Sequence, residues 1–446
     1  MPELLELAAR VVHQARAGEQ VEAYVARSRS TRVRAYGGEV ESLTSAEAAG
    51  IGIRVVVDGR QGFARAGTLD EAVLAETLAE ARDNARFAEP DQWNGLAEPD
   101  GVAPVDIDLW RPEQAAMATD AKVALALELE RATIAADPRV TGVRTAMYGD
   151  GAGEAAIATS TGISGWSRAT SCHLSVSALA RDGDESQIGH GIDVGRSADE
   201  LDVSVAAADA AERATRLLGA TQPASARLTV VLDPRVAASV LGLIGGTLTG
   251  DRVQRGRSPF ADRQGEQIAS PLLSLRDDPT DVWSQAADSH DGEGLACRPN
   301  ELLAGGVLGG FLHNSYTGRR AGAASTGSAV RGYGSPPGVG CQALVVATGS
   351  GTLGDLIAGV DHGVLVQSLH GLHSGVNPVS GDFSVGADGL MIRDGALAEP
   401  VREITIASTL QRLLLDILAV GADREWLPGG TGSVSVAIGD VSLSGR

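Results

Sequence analysis

The chain has few of the residues that mark exported, disulfide-stabilised or nucleic-acid-binding proteins. It contains only three cysteines, Cys172, Cys297 and Cys341, and an odd number scattered in this way does not describe a disulfide framework. Lys122 is the only lysine, and the formal net charge is −20. Nucleic acid and anionic membranes are bound through basic surfaces, so both are disfavoured as partners. We therefore expect a protein of the reducing cytoplasm whose partner is a neutral or cationic peptide.

Long hydrophobic runs are also absent from the sequence. No apolar stretch reaches the roughly 18 residues that a membrane-spanning helix needs, so we expect no contact with the membrane interior. Residues 1–18 predict an amphipathic helix interrupted by Glu3 and Glu6, unlike the basic and then apolar order of a signal peptide. The 446 residues, 43% of them apolar, are enough for two or three domains with a large core.

The first half of the chain shows the same order of predicted elements twice. Alternating segments near residues 20–28, 31–42, 49–57 and 61–66 predict strands, followed by a helix over 69–87. A helix over 112–136 then precedes strands near 140–148, 153–160, 166–180 and 186–193 and a helix over 198–218. We interpret residues 1–220 as an N-terminal α+β domain of two related helix-and-meander units.

The residue pattern changes after a segment without periodicity at residues 221–226. This segment contains Pro223 and is our predicted domain boundary. Short glycine-rich strands follow. They predict a mainly antiparallel β domain, a sandwich or a barrel-like sheet, over residues 227–446. Within it we expect a helix over residues 404–419 and a hairpin over 433–444 that turns at Gly439-Asp440.

One helix of this second domain is well defined by its sequence. Asp233 can cap it, Pro234 suits its first turn, and the predicted helix covers residues 234–248. Its apolar stripe consists of Val236, Val240, Leu243 and Ile244. The paired glycines Gly245 and Gly246 are expected to weaken the helix and either to end it or to let another backbone approach closely. The helix contains no His, Cys or Glu, so it offers no lone pairs with which to bind zinc.

The richest polar stretch runs from His370 through His373 to residue 384. The two histidines, together with Cys341, are a possible metal site, but Gly371 between them favours a loop and no His-Glu-x-x-His motif supports it. Two interpretations remain open. The stretch is either a tight loop in which Asn377, Ser380 and Asp382 satisfy backbone groups, or a loop that lines a substrate cleft.

Two other polar segments carry weaker signals. Ser289-His290-Asp291 has the residues of a hydrolytic triad, but adjacent residues cannot orient one another as nucleophile and base. Asp291 and Glu293 are a possible acid–base pair whose separation the sequence does not fix. The glycine-rich loop of residues 318–340 holds Arg331, but it lacks the lysine and spacing of a phosphate-binding loop. We expect that loop to become ordered when a partner or substrate binds.

Several strings together resemble the TldD/PmbA family, once called modulators of DNA gyrase. Residues 374–387, SGVNPVSGDFSVGA, closely resemble the PmbA (TldE) branch. Residues 291–294, 316–331 and 50–64 resemble the acidic-glycine segment, the glycine loop and the N-terminal meander of the family. The similarity covers nearly the whole chain. The older name implies contact with DNA, which the net charge disfavours.

The resemblance implies a specific division of labour. TldD-type subunits carry a His-Glu-x-x-x-His helix and a later cysteine that bind zinc, whereas TldE-type subunits lack these groups and pair with a TldD-type subunit. In this sequence the three motif positions fall on Leu241, Gly242 and Gly246, and residues 426–434 contain no cysteine. The resemblance therefore implies a TldE-like subunit without catalytic residues or zinc of its own, with zinc in a TldD-like partner of a heterodimer.

Such a subunit would help to hold an extended peptide while the zinc of the partner activates water. The expected cleft-lining residues are His313, Arg331, His370, His373, Ser374, Asn377, Ser380 and Asp382.

Three alternatives remain. The chain is a stand-alone hydrolase that uses His373 with Asp382 or Cys341, a peptide-binding scaffold without an enzymatic partner, or a subunit that acts on a modified peptide or an amide-containing natural-product intermediate.

Overall fold

The structure, a computed structural model, describes residues 2–446. Met1, the first residue of the predicted N-terminal helix, lies outside the described residues, and the helix itself covers Glu3–Val12. No helix within residues 2–446 is both long and apolar enough to cross a membrane.

The first half of the chain forms one antiparallel sheet with helices on one face. The strands follow the order β3-β2-β1-β4-β5-β6, so two three-stranded meanders join along β1 and β4. The elements are α1 Glu3–Val12, β1 Gln20–Tyr36, β2 Glu39–Val57, β3 Arg60–Ala66, α2 Glu71–Phe87, α3 Pro112–Ala115, α4 Thr119–Ala136, β4 Val140–Thr159, β5 Ser164–Asp182, β6 Glu185–Gly195, a 3-10 turn Ala198–Glu200 and α5 Val203–Thr215.

The strands are longer than the sequence predicts. Segments 20–28 and 31–42 were expected as separate strands, but Ser28 and Ser30 belong to one continuous β1. Both serines pair with β2 on one side and with β4 on the other. Because the backbone is paired on two sides, small polar residues that are typical of loops remain in the strand.

The two faces of this sheet have different partners. Side chains alternate along a strand, so Val21 and Val25 of β1 are buried in the core that α1 and α2 share with the sheet. Glu22 and Tyr24 point to the opposite face. There Arg331, which lies after β7 in the chain, contacts both residues.

The chain from β7 onward, which we call the C-terminal half, contains a barrel-like sheet. Its order is β16-β15-β14-β7-β20-β17, and β16 also pairs with β20, which closes the barrel. A second sheet has the order β10-β9-β8-β13-β19-β18. The expected α+β class with a barrel-like C-terminal sheet is thus confirmed. The strands are β7 Ala226–Leu232, β8 Leu275–Asp277, β9 Asn300–Ala304, β10 Val307–Leu308, β11 Ala329–Val330, β12 Gly338–Val339, β13 Leu344–Val346, β14 His362–His370, β15 Asp382–Arg393, β16 Ala396–Thr409, β17 Ile417–Val420, β18 Glu425–Trp426, β19 Gly432–Ser433 and β20 Val436–Ser444.

The helices of this half are short except for the first. They are α6 Pro234–Thr247, α7 Gly250–Gln254, α8 Ser315–Ala321, α9 Leu353–Ala358, α10 Leu372–Gly375 and α11 Leu410–Leu415. The division of the chain at residues 221–226 remains a prediction.

Two sequence predictions in this half are wrong. Residues 404–409, expected as the start of a helix, belong to strand β16, because Ile404 and Ile406 are buried at the two-residue spacing of a strand. Only α11 is helical in this region. Residues 436–444 form the single strand β20 rather than part of a hairpin. Asp440 instead adopts a φ of 54° at an irregularity in its pairing with β7.

Helix α6 begins as the sequence predicts. A side-chain oxygen of Asp233 accepts the N–H of Val236, and Pro234 occupies the first turn. Gly245 and Gly246 do not end the helix, since α6 continues to Thr247, one residue before the predicted end at 248. Burial of Ile244 and Leu248 in the core anchors the last turn. This packing outweighs the roughly 1 kcal/mol that each glycine costs in a helix.

Helix α5 lies close to strand β6 because glycines face it. A Cβ atom built on Gly191 would lie 1.8 Å from the carbonyl oxygen of Ala206, and one on Gly189 would lie 2.2 Å from that of Ala210. Only glycine fits at these two positions without moving the helix. The contact holds α5 against one face of β6, which is the edge strand of the sheet.

We predict that Gly191→Ala lowers the free energy of unfolding by about 1–3 kcal/mol, because the added methyl group must displace α5. Chemical denaturation measures the change. Gly142→Ala, in strand β4, is the matched control, since a Cβ atom built on Gly142 meets nothing within 4 Å. Equal losses in the two variants would contradict the proposed close packing.

Candidate functional site

The positions of helix α6 onto which the resemblance places the zinc motif carry no metal ligands. The side chain of Leu241 is 4% exposed and packs in the core, whereas Gly242 and Gly246 are exposed and lack side chains. A Cβ atom built on either glycine meets nothing within 4 Å. Methyl groups and glycine have no lone pairs for zinc, so these positions do not fit a metal. Within residues 2–446, no three His, Cys, Asp or Glu side chains cluster closely enough to hold one.

A groove runs along strand β6 beside this helix. Residues 188–196 form one wall, and residues 235–239 of α6 together with residues 425–427 form the other. We call it the β6 groove. It comprises two cavities of about 230 and 660 Å³, and Arg235 lines both. Since β6 is an edge strand, alternate backbone groups of this strand face the groove without a neighbouring strand.

Arg235 spans the groove and contacts this free edge. Its Nη1 donates to the carbonyl oxygen of His190 at 3.2 Å, and its Nη2 donates to that of Ile192 at 3.5 Å. An ion pair with Asp209 at 2.6 Å holds the guanidinium in place. Arg235 therefore occupies two acceptors that an added strand would use.

A buried ionic network joins the sheet to the C-terminal half at a different point. Arg54 of β2 donates to Glu22 of β1 at 3.1 and 2.6 Å and lies 3.5 Å from Glu293. Nη1 of Arg331 also donates to Glu22, to the same Oε1 that accepts from Nε of Arg54. All four side chains are at most 3% exposed. Burial alone raises the pKa of Glu22, but Arg54 and Arg331 together bring it below its ordinary value.

Asp291 lies beside this network and organises the loop that carries Arg331. It accepts the backbone N–H groups of Glu293, Leu295 and Ala329 at 2.9–3.0 Å. Burial, and secondarily the nearby Glu293 carboxylate, raise the pKa of Asp291 to about 7. Its oxygens are thus bound to backbone groups rather than to a neighbouring histidine.

The Ser289-His290-Asp291 string does not form a triad in the structure. The Oγ of Ser289 and the Nδ1 of His290 lie 2.8 Å apart, but the backbone bonds of Asp291 leave it without a role in orienting the ring. Burial lowers the pKa of His290. This pair is a local contact in the wall of a small cavity between the sheet and the C-terminal half.

Most of the predicted cleft residues lie together in the connection between β14 and β15, where they bond to their neighbours. His370 Nε2 lies 2.6 Å from Asp388 Oδ2. Ser374 donates to a backbone oxygen of the same turn, and the side-chain oxygen of Asn377 accepts the backbone N–H of Ser380. The hydroxyl of Ser380 donates to Asp382 at 2.6 Å, and His373 lies on the short helix α10.

The residues at the start of this connection border the β6 groove. Gln367, Ser368, Leu369 and Leu372 line the smaller cavity, and His370 is close enough to His190 to contribute to the lowered pKa of that residue, after burial and three arginines. The polar residues from Asn377 onward do not line either cavity in the described part of the chain.

The other two predicted cleft residues lie elsewhere. Arg331 belongs to the buried ionic network, and His313 is 9% exposed, with its Nδ1 3.2 Å from the hydroxyl of Thr317 in helix α8. Burial lowers the pKa of His313. The sequence analysis predicted the strand near residues 186–193, but it did not predict that this strand lies at the edge of the sheet, and it missed Arg235. The glycines at alternate positions in β6 signal only that a helix packs closely against the strand.

Three family models match the chain. They are described as PmbA/TldA metallopeptidase domain 1, central domain and C-terminal domain, and they match residues 21–85, 112–218 and 225–445. The metalloprotease PmbA of Escherichia coli O157:H7 is 28% identical over 391 residues, which span 87% of this chain and 84% of that protein. A PmbA homolog from Haemophilus influenzae is 27% identical over 92% of this chain and 89% of its own length.

Solved structures share the fold over the full length. A Thermotoga maritima protein superposes with a TM-score of 0.91 at 25% identity and covers 98% of this chain and 99% of its own. TldE from Thermococcus kodakarensis superposes with a TM-score of 0.87 at 22% identity over 99% of both chains. At that identity the second likeness concerns the fold alone.

We predict that Arg54→Leu lowers the free energy of unfolding by about 3–5 kcal/mol, because it leaves buried carboxylates with fewer partners. The exposed pair of Arg393 and Glu399 provides the control, and Arg393→Leu is expected to cost less than about 1 kcal/mol. Urea denaturation of both variants distinguishes them. A loss at Arg54 as small as that at Arg393 would show that the network does not hold the two halves together.

We also predict a pH dependence from Asp291. Because its pKa is raised to about 7 in the folded state, its stabilising contribution is complete below the unfolded pKa near 4 and is lost as the pH rises through 7. In the unmodified chain, the free energy of unfolding should therefore decline as the pH rises from 4 to 7. In Asp291→Asn this decline should be smaller. Asp184→Asn, in the exposed turn after β5, serves as control. Identical pH profiles for all three proteins would refute this role of Asp291.

Proposed function

We propose that this chain, which belongs to the PmbA/TldD metallopeptidase family, is the peptide-holding, non-catalytic subunit of a heterodimeric zinc peptidase. Family membership gives the chain a peptidase-related function. The proposal adds that this subunit is TldE-like and that a TldD-like partner supplies the zinc and the general base.

The observation that carries the proposal is the chemistry of the open face of α6. The three positions that align with the zinc-binding motif hold Leu241, Gly242 and Gly246. Leu241 turns into the core, and the two glycines leave the exposed face bare. A subunit built in this way keeps the scaffold of the family without a donor set for the metal at this position.

The β6 groove supports a role in holding the substrate. A peptide that extends along the free edge of β6 gains main-chain hydrogen bonds with little demand on its sequence. His190 and Ile192 have carbonyl oxygens that already accept hydrogen bonds from the groove side, from Arg235. The half-buried side chains of Ile188 and Val194 line the same edge and can contact the peptide.

In this proposal the chemistry belongs to the partner. When bound there, zinc polarises the scissile carbonyl and activates water. The residues of this chain hold the peptide extended and exclude water from one side of it. The connection from His370 to Asp382 remains a candidate for contact with the peptide or with the partner, since its first residues border the groove.

The structure gives less support to a stand-alone hydrolase. Asp382 accepts a hydrogen bond from Ser380 rather than from His373. Burial and the neighbouring Asp277 raise the pKa of the Cys341 thiol well above its usual value, which disfavours the nucleophilic thiolate. A modified peptide or an amide-containing natural-product intermediate remains an alternative substrate for the same heterodimer.

Reconstitution tests the proposal. The chain is mixed with the homologue from the same genome that carries the His-Glu-x-x-x-His motif, and co-elution and hydrolysis of an unstructured peptide are measured. We expect a complex, with hydrolysis that requires both chains and disappears when the motif glutamate of the homologue is changed to glutamine. Hydrolysis by this chain alone after removal of metal would identify a stand-alone hydrolase. Absence of association would favour a peptide-binding scaffold.

We predict that Arg235→Ala increases the affinity of the chain for an unstructured peptide about tenfold. The guanidinium competes for two backbone acceptors, each worth about 0.5–1.5 kcal/mol as a hydrogen bond. Fluorescence anisotropy of a labelled 12-residue Gly/Ser/Thr peptide measures the affinity. Arg227→Ala, which removes an exposed arginine paired with Asp440 on the barrel, is the control. Equal or weaker binding by Arg235→Ala would contradict strand addition at β6.

A further inference from the structure

The larger cavity of the β6 groove has an exposed tryptophan at its mouth. The side chain of Trp283 is 71% exposed, although tryptophan is usually well buried. The half-buried Trp426 lines the same cavity, together with Val205, which is 53% exposed. Exposed apolar side chains gathered around one concave site are typical of binding surfaces.

The turn that carries Trp283 is rigid. The backbone N–H of Trp283 donates to the side chain of Asp281 at 3.1 Å, and the N–H of Ser284 donates to the carbonyl oxygen of Asp281 at 3.0 Å. The hydroxyl of Ser284 reaches the carbonyl oxygen of Gly430 at 2.8 Å. The turn is therefore fixed at both ends, and its hydrogen bonds keep the indole ring at the surface.

Arg196 connects this turn to the end of the edge strand. It follows β6 directly, is 4% exposed, and donates from Nε to the carbonyl oxygen of Val282 at 3.3 Å and from Nη2 to that of Ser284. Its Nη1 donates to Thr170 in β5 at 3.3 Å. A buried arginine that directly follows β6 thus bonds to the residues on either side of Trp283 and to strand β5.

We propose that Trp283 and Trp426 form a side-chain subsite of the β6 groove for a bulky aromatic or aliphatic residue of an unstructured peptide. The inference rests on the proposed peptide-holding function and adds the class of side chain that this subunit selects. An aromatic ring held rigidly in place loses little conformational entropy on binding, and tryptophan is enriched among the residues that dominate interface affinity.

Continuity of the groove argues for a peptide as the occupant. Ile192 accepts a hydrogen bond at the strand edge, and both Ile192 and Val194 line the cavity that contains Trp283. A peptide paired with the edge at Ile192 therefore passes directly into the aromatic subsite, with alternate side chains directed to it.

The charge of the cavity lining and of the whole chain further restricts which peptides we expect to bind. Four carboxylates line the same cavity beside three arginines, so its lining carries only a slight excess of negative charge; these residues are Asp193, Glu200, Asp209, Glu425, Arg111, Arg196 and Arg235. The chain as a whole carries a formal charge of −20. Acidic flanking residues would be repelled at this site, so the preferred segment is neutral or basic around its bulky residue.

Matched peptides test the subsite in the complete chain. The probes are 12-residue Gly/Ser/Thr peptides with one central Phe or one central Ala, each flanked by either lysine or glutamate, and binding is measured by fluorescence anisotropy. We expect the Phe peptide to bind about tenfold more tightly than the Ala peptide, and lysine flanks to bind more tightly than glutamate flanks. In Trp283→Ala the preference for Phe should fall below about twofold, while Trp283→Phe should retain most of it.

Phe87→Ala is the control variant, because Phe87 is an 87% exposed aromatic at the end of α2, outside the groove. It should leave every affinity unchanged. If Trp283→Ala keeps the full preference for Phe, or if the unmodified chain binds Phe and Ala peptides equally, the subsite is refuted while peptide binding at β6 stands. If no peptide binds to the unmodified chain or to Arg235→Ala, the proposed peptide-holding function and the subsite both fail.

Discussion

The buried ionic network at the junction of the two halves is the constraint on which the rest of the structure depends. Glu22 receives two arginines, one from its own sheet and one from the C-terminal half, and Glu293 crosses back toward Arg54. Because buried charges are costly unless they are paired, the ion pairs between Glu22 and Arg331 and between Arg54 and Glu293 favour the observed position of the halves. That position brings the edge strand β6 beside helix α6 and creates the groove between them.

In the proposed function, this chain contributes the scaffold of the family and not the metal. Helix α6 has an N-terminal cap at Asp233 and a buried apolar stripe that packs in the core. Its exposed face lacks side chains at Gly242 and Gly246. The neighbouring strand edge needs no special residues to hold a peptide, since the backbone supplies the hydrogen bonds. When no strand is added, Arg235 bonds to the carbonyl oxygens of that edge. We attribute selectivity for the peptide to the turn that carries Trp283.

Local sequence patterns predicted the parts of the fold that short-range physics determines. Capping by Asp233 and helical spacing placed α6 almost to the residue. The resemblance assigned the zinc motif to Leu241, Gly242 and Gly246, and residues of these types cannot ligate a metal. The patterns failed at residues 404–409, where an apolar run is compatible with helix or strand and the barrel selects the strand. They also failed to locate the groove. Its walls come from segments far apart in the chain, and the turn that carries Trp283 is bonded to Arg196, about ninety residues earlier in the sequence.

The most direct test of the central claim is the zinc content of this chain purified alone, without a metal-binding tag, measured by elemental analysis per mole of protein. From the proposed function we expect much less than one zinc per chain, and about one zinc per complex after assembly with a TldD-like homologue. One tightly held zinc per isolated chain would contradict it, and would require a metal site built from residues other than those on the open face of α6.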